Sequence, residues 1–254
     1  MGGGSTTRAF IVLAVLAAVR QSPPATSVHE LAVVPVQTSA RAVRLASPAP
    51  LAAQAPEGSR AEALRHPDSS TNARTAPERY WVRLETTKGV IVIEVYRPWA
   101  PHGADRFFNL VADGYYDGSR FFRVIQGKWA QFGINGDPAV STAWRTRTIP
   151  DDPRVESNTR GTVAFAFAVA NGRTTQVFIN LRDNSATHDR EPFVPFGRVV
   201  EGLEVADALN SEYGEASGSG IRAGKQDPLF QGGNAYLAEH FPRLDAVTRA
   251  TVEQ

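Results

Sequence analysis

Alternation of apolar and polar positions is the clearest signal in the chain. Residues 80–87, Tyr-Trp-Val-Arg-Leu-Glu-Thr-Thr, alternate strictly and predict a strand. Lys88-Gly89 marks a tight turn, and the branched run at 90–96 predicts a second strand, completing a hairpin. Ala104, Phe107, Phe108 and Val111 then recur at helical spacing until Gly114 stops the helix. Residues 121–125 and 129–133 form two short aromatic and branched segments around Gln126-Gly127-Lys128, which predicts a two-stranded ribbon. Further strands are predicted at 161–169, at 176–180, at 193–200 with a break at Pro195, and at 247–252. Leu203, Val205, Ala206 and Leu209 predict a second helix, and residues 234–241 a helical turn. Residues 137–153 read as a loop holding Trp144, and the Gly- and Ser-rich residues 214–224 as a mobile one.

Many short strands joined by short turns, with two helices set far apart, favour an antiparallel sheet over β-α-β units. A last strand paired with the one beginning at Tyr80 closes the sheet into a barrel and removes its edges.

Upstream of Tyr80 the pattern disappears. Residues 9–19 are an unbroken apolar run behind Arg8, shorter than the roughly 20 residues of a membrane span. A positive residue, a short apolar block and then small residues have the layout of a secretory signal peptide; an uncleaved membrane anchor is the alternative. From 21 to 78 the chain is rich in Ala, Pro, Ser and Arg and has no aromatic residue, so it offers little apolar area to offset the entropy of ordering. The expected organisation is a leader or anchor at 1–27, a flexible linker at 28–78 and a folded domain at 79–254. The leader implies an exported protein, periplasmic or secreted, with membrane association only through residues 9–19 if they are retained.

Composition narrows the chemistry. A formal net charge of +1 over 254 residues gives no basic footprint for nucleic acid or an anionic membrane. There is no cysteine, so disulfides, thiolate metal sites and a cysteine nucleophile are excluded. The five histidines stand at no metal-ligand spacing, and no metal is expected. Ser185, His188 and Asp189 are close in sequence, but no Gly-x-Ser-x-Gly elbow occurs and they read as loop polars. The glycines at 214–220 lack the Lys-Ser/Thr of a phosphate cradle.

The ribbon at 121–133 remains. With Gly127 at the centre of its turn, Arg123 lies opposite Gln131 and Ile125 opposite Trp129, so an arginine, a glutamine and an indole share one face. The other face carries Phe122, Val124, Ala130 and Phe132. Arg123 is then either a cross-sheet ion-pair partner or a cation held for function, and pattern alone leaves both open.

Surrounding motifs bear on that choice. Phe122-Arg123-Val124-Ile125, Gln131-Phe132-Gly133, Gly136-Asp137-Pro138, Gly161-Thr-Val-Ala-Phe-Ala166, Arg173-Thr-Thr-Gln-Val-Phe-Ile-Asn180 and Pro195-Phe-Gly-Arg-Val-Val-Glu-Gly-Leu-Glu-Val205 together resemble the cyclophilin family of peptidyl-prolyl cis-trans isomerases, in its bacterial branch. The resemblance runs from about Tyr80 to the C-terminus. It implies a mainly β fold, a closed eight-stranded antiparallel barrel capped by two helices. It implies an isomerase acting on proline-containing polypeptides, without cofactor, expected to be a monomer assisting the folding of exported proteins. A proline-peptide-binding module or holdase chaperone is the alternative. By the same resemblance Arg123 matches the catalytic arginine, Gln131 the glutamine beside it, Phe178 the aromatic floor of the proline pocket and Ala166 a small groove residue. Lys128 and Trp129 replace the usual phenylalanine and methionine. Thr187 stands where many members have tryptophan, Phe193 where many have histidine, and Phe167 replaces a polar residue on the groove edge. With His188, these are the expected substrate contacts.

Overall fold

A computed structural model describes residues 60, 63–68, 73–218 and 225–253; the apolar block at 9–19 and most of the linker lie outside them. Eight strands form one sheet: β1 (Arg79–Thr86), β2 (Gly89–Tyr96), β3 (Arg123–Ile125), β4 (Trp129–Phe132), β5 (Thr162–Phe165), β6 (Val177–Asn180), β7 (Pro195–Glu201) and β8 (Val247–Glu253). Their order is β3-β4-β6-β5-β7-β2-β1-β8, and each neighbouring pair is antiparallel. The alternation in β1 is the physical origin of its facing. Tyr80, Val82 and Leu84 are buried, joined by Ile91, Ile93 and Val95 of β2 across the hairpin. β8 pairs with β1 from Trp81↔Glu253 onward, as the C-terminal alternation predicts.

The sheet is an open half-barrel, which corrects the expected closure. β3 and β8 remain its two edges, linked by one isolated bridge, Arg120↔Ala246, with Phe121 N donating to Asp245 O at 2.9 Å. β3 has only three residues. Its outer edge is covered by the 3-10 turn Ala216–Gly218, whose buried Ser217 Oγ donates to Phe122 O at 2.6 Å. The segment read as a loose loop therefore covers backbone that a ladder to β8 would otherwise use, as far as Gly218; residues 219–224 lie outside the described residues.

The helices also differ from expectation. α1 (Pro101–Ala112) buries Ala104, Phe107, Phe108 and Val111 as their spacing predicts. The stretch read as a loop contains α2 (Pro138–Trp144), started by Asp137, whose side chain accepts from Ala139 N at 2.8 Å, and by Pro138 in the first turn. α3 (Ser185–His188) is one turn and α4 (Leu203–Asp207) barely more. The expected turn at 234–241 is instead the second half of α5 (Asp227–His240), kinked at Gly233. There φ is 53°, and an added Cβ would stand 2.2 Å from Gly136 O. From Pro101 onward the two-helix cap is thus five α-helical segments among the described residues, and α5 creates a second apolar cluster with Leu229, Phe230, Leu237 and Leu244. Phe122, expected in the sheet core, packs into that cluster because the chain enters β3 only at Arg123; Phe121 takes the core position against Phe132.

Packing reaches upstream of the composition change. Ala63 and Ala76 are buried, Arg74 Nη2 pairs with Asp113 at 2.7 Å, and the indole of buried Trp144 donates to Leu64 O at 3.0 Å. A buried ion pair then ties α1 to the loop before the site. Asp152 accepts from His102 N (2.9 Å) and Gly103 N (3.0 Å) at the α1 N-terminus, and from Arg173 Nη1 (3.0 Å). Arg173 also donates to the Pro150 carbonyl; Asp151 lies 3.2 Å from its Nε without an aligned hydrogen bond.

Arg173 is fully buried, so Arg173→Ala should destabilise the domain by about 3–5 kcal/mol, because it leaves Asp152 charged and half-partnered in the interior. Urea unfolding followed by tryptophan fluorescence measures this; a loss below about 1 kcal/mol would show that the pair contributes no more than a surface bridge.

Candidate active site

The β3–β4 ribbon has the register that its turn glycine implies: Arg123↔Gln131, Val124↔Ala130 and Ile125↔Trp129. Gly127 takes φ 65°, and Lys128 N closes the turn on Ile125 O at 2.9 Å. β4 pairs onward with β6, where Gln131 opposes Phe178. Directly opposed residues project from one face, so Arg123, Gln131 and Phe178 form a cross-strand row over three strands. Their proximity is a property of the backbone register alone.

Arg123 is held from several sides. Nη1 donates to Gln131 Oε1 at 3.0 Å, while Nε and Nη2 donate to Glu215 Oε2 and Oε1 at 2.6 and 2.8 Å. The guanidinium also lies over the Trp129 ring, 5.0 Å from its centroid. Its side chain is only 14% exposed, so these partners compensate a cation largely withdrawn from water. The network continues, with Gln131 Nε2 donating to Gln176 Oε1 (2.9 Å) and Gln176 Nε2 to Gln226 Oε1 (2.9 Å).

Beside this polar string lies an aromatic cup. Phe178 and Phe193 meet edge to face with centroids 5.5 Å apart, and His188 packs 4.8 Å from Phe193 and 5.5 Å from both Phe178 and Trp129. Phe167 backs Phe193 at 4.4 Å. The cleft has a volume of about 370 Å³, and Ala166 lines it with a minimal side chain. Burial pushes the His188 pKa below its ordinary value, with Glu191 opposing the shift, so the cup favours the neutral imidazole. Trp129 Nε1 is buried and finds no acceptor among the described residues.

The structure thus brings together Arg123, Gln131, Phe178, Trp129, Ala166, Phe167, Phe193 and His188. Lys128 and Thr187 are exposed and lie outside the lining. Thr187 Oγ1 sits 3.0 Å from His188 Nδ1 and so touches the cup only through the histidine. Several residues escaped the sequence reading. Gln176 stood unremarked inside a quoted motif. Glu215 lay in an apparent loop, and Gln226 and Phe230 belong to or adjoin the unforeseen α5. Arg145 lies 4.4 Å from the Phe230 ring centroid and pairs with Asp227 at 2.6 Å. Among the described residues no three His, Cys, Asp or Glu side chains converge as a metal-ligand set.

A fixed positive donor beside an apolar cup can stabilise charge that develops at a bound atom without any covalent chemistry. Comparison with known proteins gives that chemistry a family. The family model described as cyclophilin type peptidyl-prolyl cis-trans isomerase/CLD matches residues 81–227. Peptidyl-prolyl cis-trans isomerase ppi1 of Schizosaccharomyces pombe is 35% identical over 134 residues, covering 50% of this chain and 83% of that protein. The peptidyl-prolyl cis-trans isomerase of Acinetobacter baylyi is 32% identical over 132 residues, covering 50% and 70%. Peptidyl-prolyl cis-trans isomerase B of Escherichia coli is 28% identical over 158 residues, covering 59% and 96%. In fold, the chain is similar to a Cryptosporidium parvum cyclophilin type isomerase, with a TM-score of 0.50 at 17% identity, over 69% of this chain and 98% of that one. With the cup, the guanidinium and the matched span in agreement, the chain belongs to the cyclophilin-type peptidyl-prolyl cis-trans isomerase family.

Proposed function

We propose that this isomerase binds X-Pro segments of polypeptides with the proline ring in the cup of Phe178, His188, Phe193 and Trp129, and that Arg123 lowers the barrier to rotation. The observation that carries the proposal is the cross-strand row that fixes a guanidinium beside the cup. An X-Pro bond rotates slowly because amide resonance imposes a barrier of about 18–20 kcal/mol. At the twisted midpoint conjugation is lost, and the imide nitrogen regains a basic lone pair. A guanidinium N–H directed at that nitrogen stabilises the twisted form more than either planar isomer, which is differential transition-state binding. Gln131 orients Arg123, and Ala166 leaves room for the peptide backbone along the groove. Phe167 supports the cup wall from behind Phe193. Lys128 and Thr187 act on longer substrates, outside the ring-binding cup. The clients are exported proteins and the working unit is a monomer; the leader-like residues 1–27 support the first, and the near-neutral charge gives no anionic partner a footing.

Arg123→Ala should lower kcat/KM about 10²- to 10³-fold, the loss typical of one preorganised donor, without unfolding the domain. A protease-coupled assay on an X-Pro peptide measures the rate, and circular dichroism the fold. Undiminished activity would remove Arg123 from the mechanism. A wild-type protein that binds the peptide but adds nothing to the background rate would turn the reading to the binding module.

The pH dependence follows from His188. Its folded pKa lies below its ordinary 6.5, so the unfolded chain binds the extra proton first as pH falls, and stability rises with pH across the window just below 6.5. Protonation also places a cation inside the cup, so kcat/KM should fall as the pH drops below about 6.5. His188→Leu should flatten that profile; an unchanged acid limb in the variant would assign it to another group.

Export has its own measurement. N-terminal sequencing of the protein recovered from its native host should begin near residue 28; a chain still starting at Met1 would mean that the leader is retained.

A further inference from the structure

The family resemblance accounts for Arg123 and Gln131 but not for the carboxylate beside them. Glu215 contributes both oxygens to Arg123, at 2.6 Å on Nε and 2.8 Å on Nη2, in a side-on fork. Its backbone is placed by the turn that follows, where Gly218 N returns to Glu215 O at 3.2 Å and buried Ser217 anchors to Phe122 O at 2.6 Å. Gly218 lies directly against the arginine stem, since an added Cβ there would stand 3.2 Å from Arg123 Cβ. A guanidinium offers five N–H donors in a rigid plane. Nε, Nη1 and Nη2 each give one to Glu215 or Gln131, which leaves one N–H on each terminal nitrogen. The one left on Nη2 sits on the end of the fork away from the Nε side.

We propose that Glu215 is a positioning residue for Arg123: the carboxylate clamps the Nε side of the guanidinium so that the free terminal N–H groups are held in the orientation the twisted X-Pro bond requires. This rests on the reading of Arg123 given above. Gln131 alone fixes one nitrogen and leaves the plane free to rotate about that contact. A second, bidentate anchor 92 positions further along the chain removes that freedom. Glu215 touches only the arginine side of the site and does not line the cleft, so it acts on the transition state and not on ground-state binding.

Glu215→Gln keeps the shape but loses the charge and one of the two acceptors. It should lower kcat about 10- to 100-fold while KM and the affinity for an uncleaved proline peptide stay unchanged. The Arg123 Nε–H resonance, assigned in ¹⁵N spectra by its disappearance in Arg123→Ala, should be sharp in the native protein and broaden in Glu215→Gln. A kcat that is unchanged or raised, or a change confined to KM, overturns the proposal. So does an Nε–H resonance indifferent to Glu215. If Arg123→Ala is inactive while Glu215→Gln is fully active, only the role of Glu215 fails. If Arg123→Ala retains its rate, the role of Arg123 fails and that of Glu215 with it.

Discussion

A guanidinium can stand at the rim of an apolar cup only if its other sides are held. Removing a cation from water is costly, and an unanchored arginine side chain samples many rotamers. Arg123 resolves both with three different contacts: an amide oxygen from the neighbouring strand, a carboxylate from a distant turn and the face of an indole. The amide and the indole both come from β4 and the carboxylate from the turn at Glu215, so the site depends on the register of β3 and β4 and also on the segment covering their outer edge. The chain 214–218 and the ribbon 123–131 are in this sense one functional unit, although more than eighty residues separate them.

The ribbon was legible because its signals are local. Gly127 sets the turn, the turn sets the register, and the register aligns Arg123, Gln131 and Phe178. α1 was legible for the same reason, a clean period of apolar positions. α2 was hidden because Asp137-Pro138 reads equally as a turn breaker and as a helix start; only the cap hydrogen bond on Ala139 N distinguishes them. α5 was hidden by Gly232-Gly233, which interrupts its period and which the kink over Gly136 requires. The open edge was hidden because the residues covering β3 are glycine, serine and alanine, a composition that looks the same in a tether and in a close-packed turn.

The same limit applies within the cup. Phe178, Phe193, Trp129 and His188 were expected at the site through the family resemblance, while by local pattern alone His188 lies among polar loop residues and reads as one of them. One turn of helix over Ser185–His188 inverts this, directing His188 inward while Thr187 faces out. The resulting wall is almost wholly aromatic, with an imidazole as its one titratable member. Lys128 and Thr187, adjacent in sequence to wall residues, show how little sequence adjacency says about a surface built from strand ends and single helical turns.

The pairing of β8 with β1 has a consequence for how the protein comes into being. The first strand of the domain lies between β2 and β8, and β8 ends at Glu253. On the ribosome the hairpin β1–β2 emerges early, yet one side of β1 stays bare until synthesis has passed Val247. Contacts of such long sequence separation slow folding, because the loop must close before they form. For most of its synthesis, therefore, this isomerase domain is an incomplete sheet with one side of β1 unpaired, and the sheet is completed only once β8 has been made.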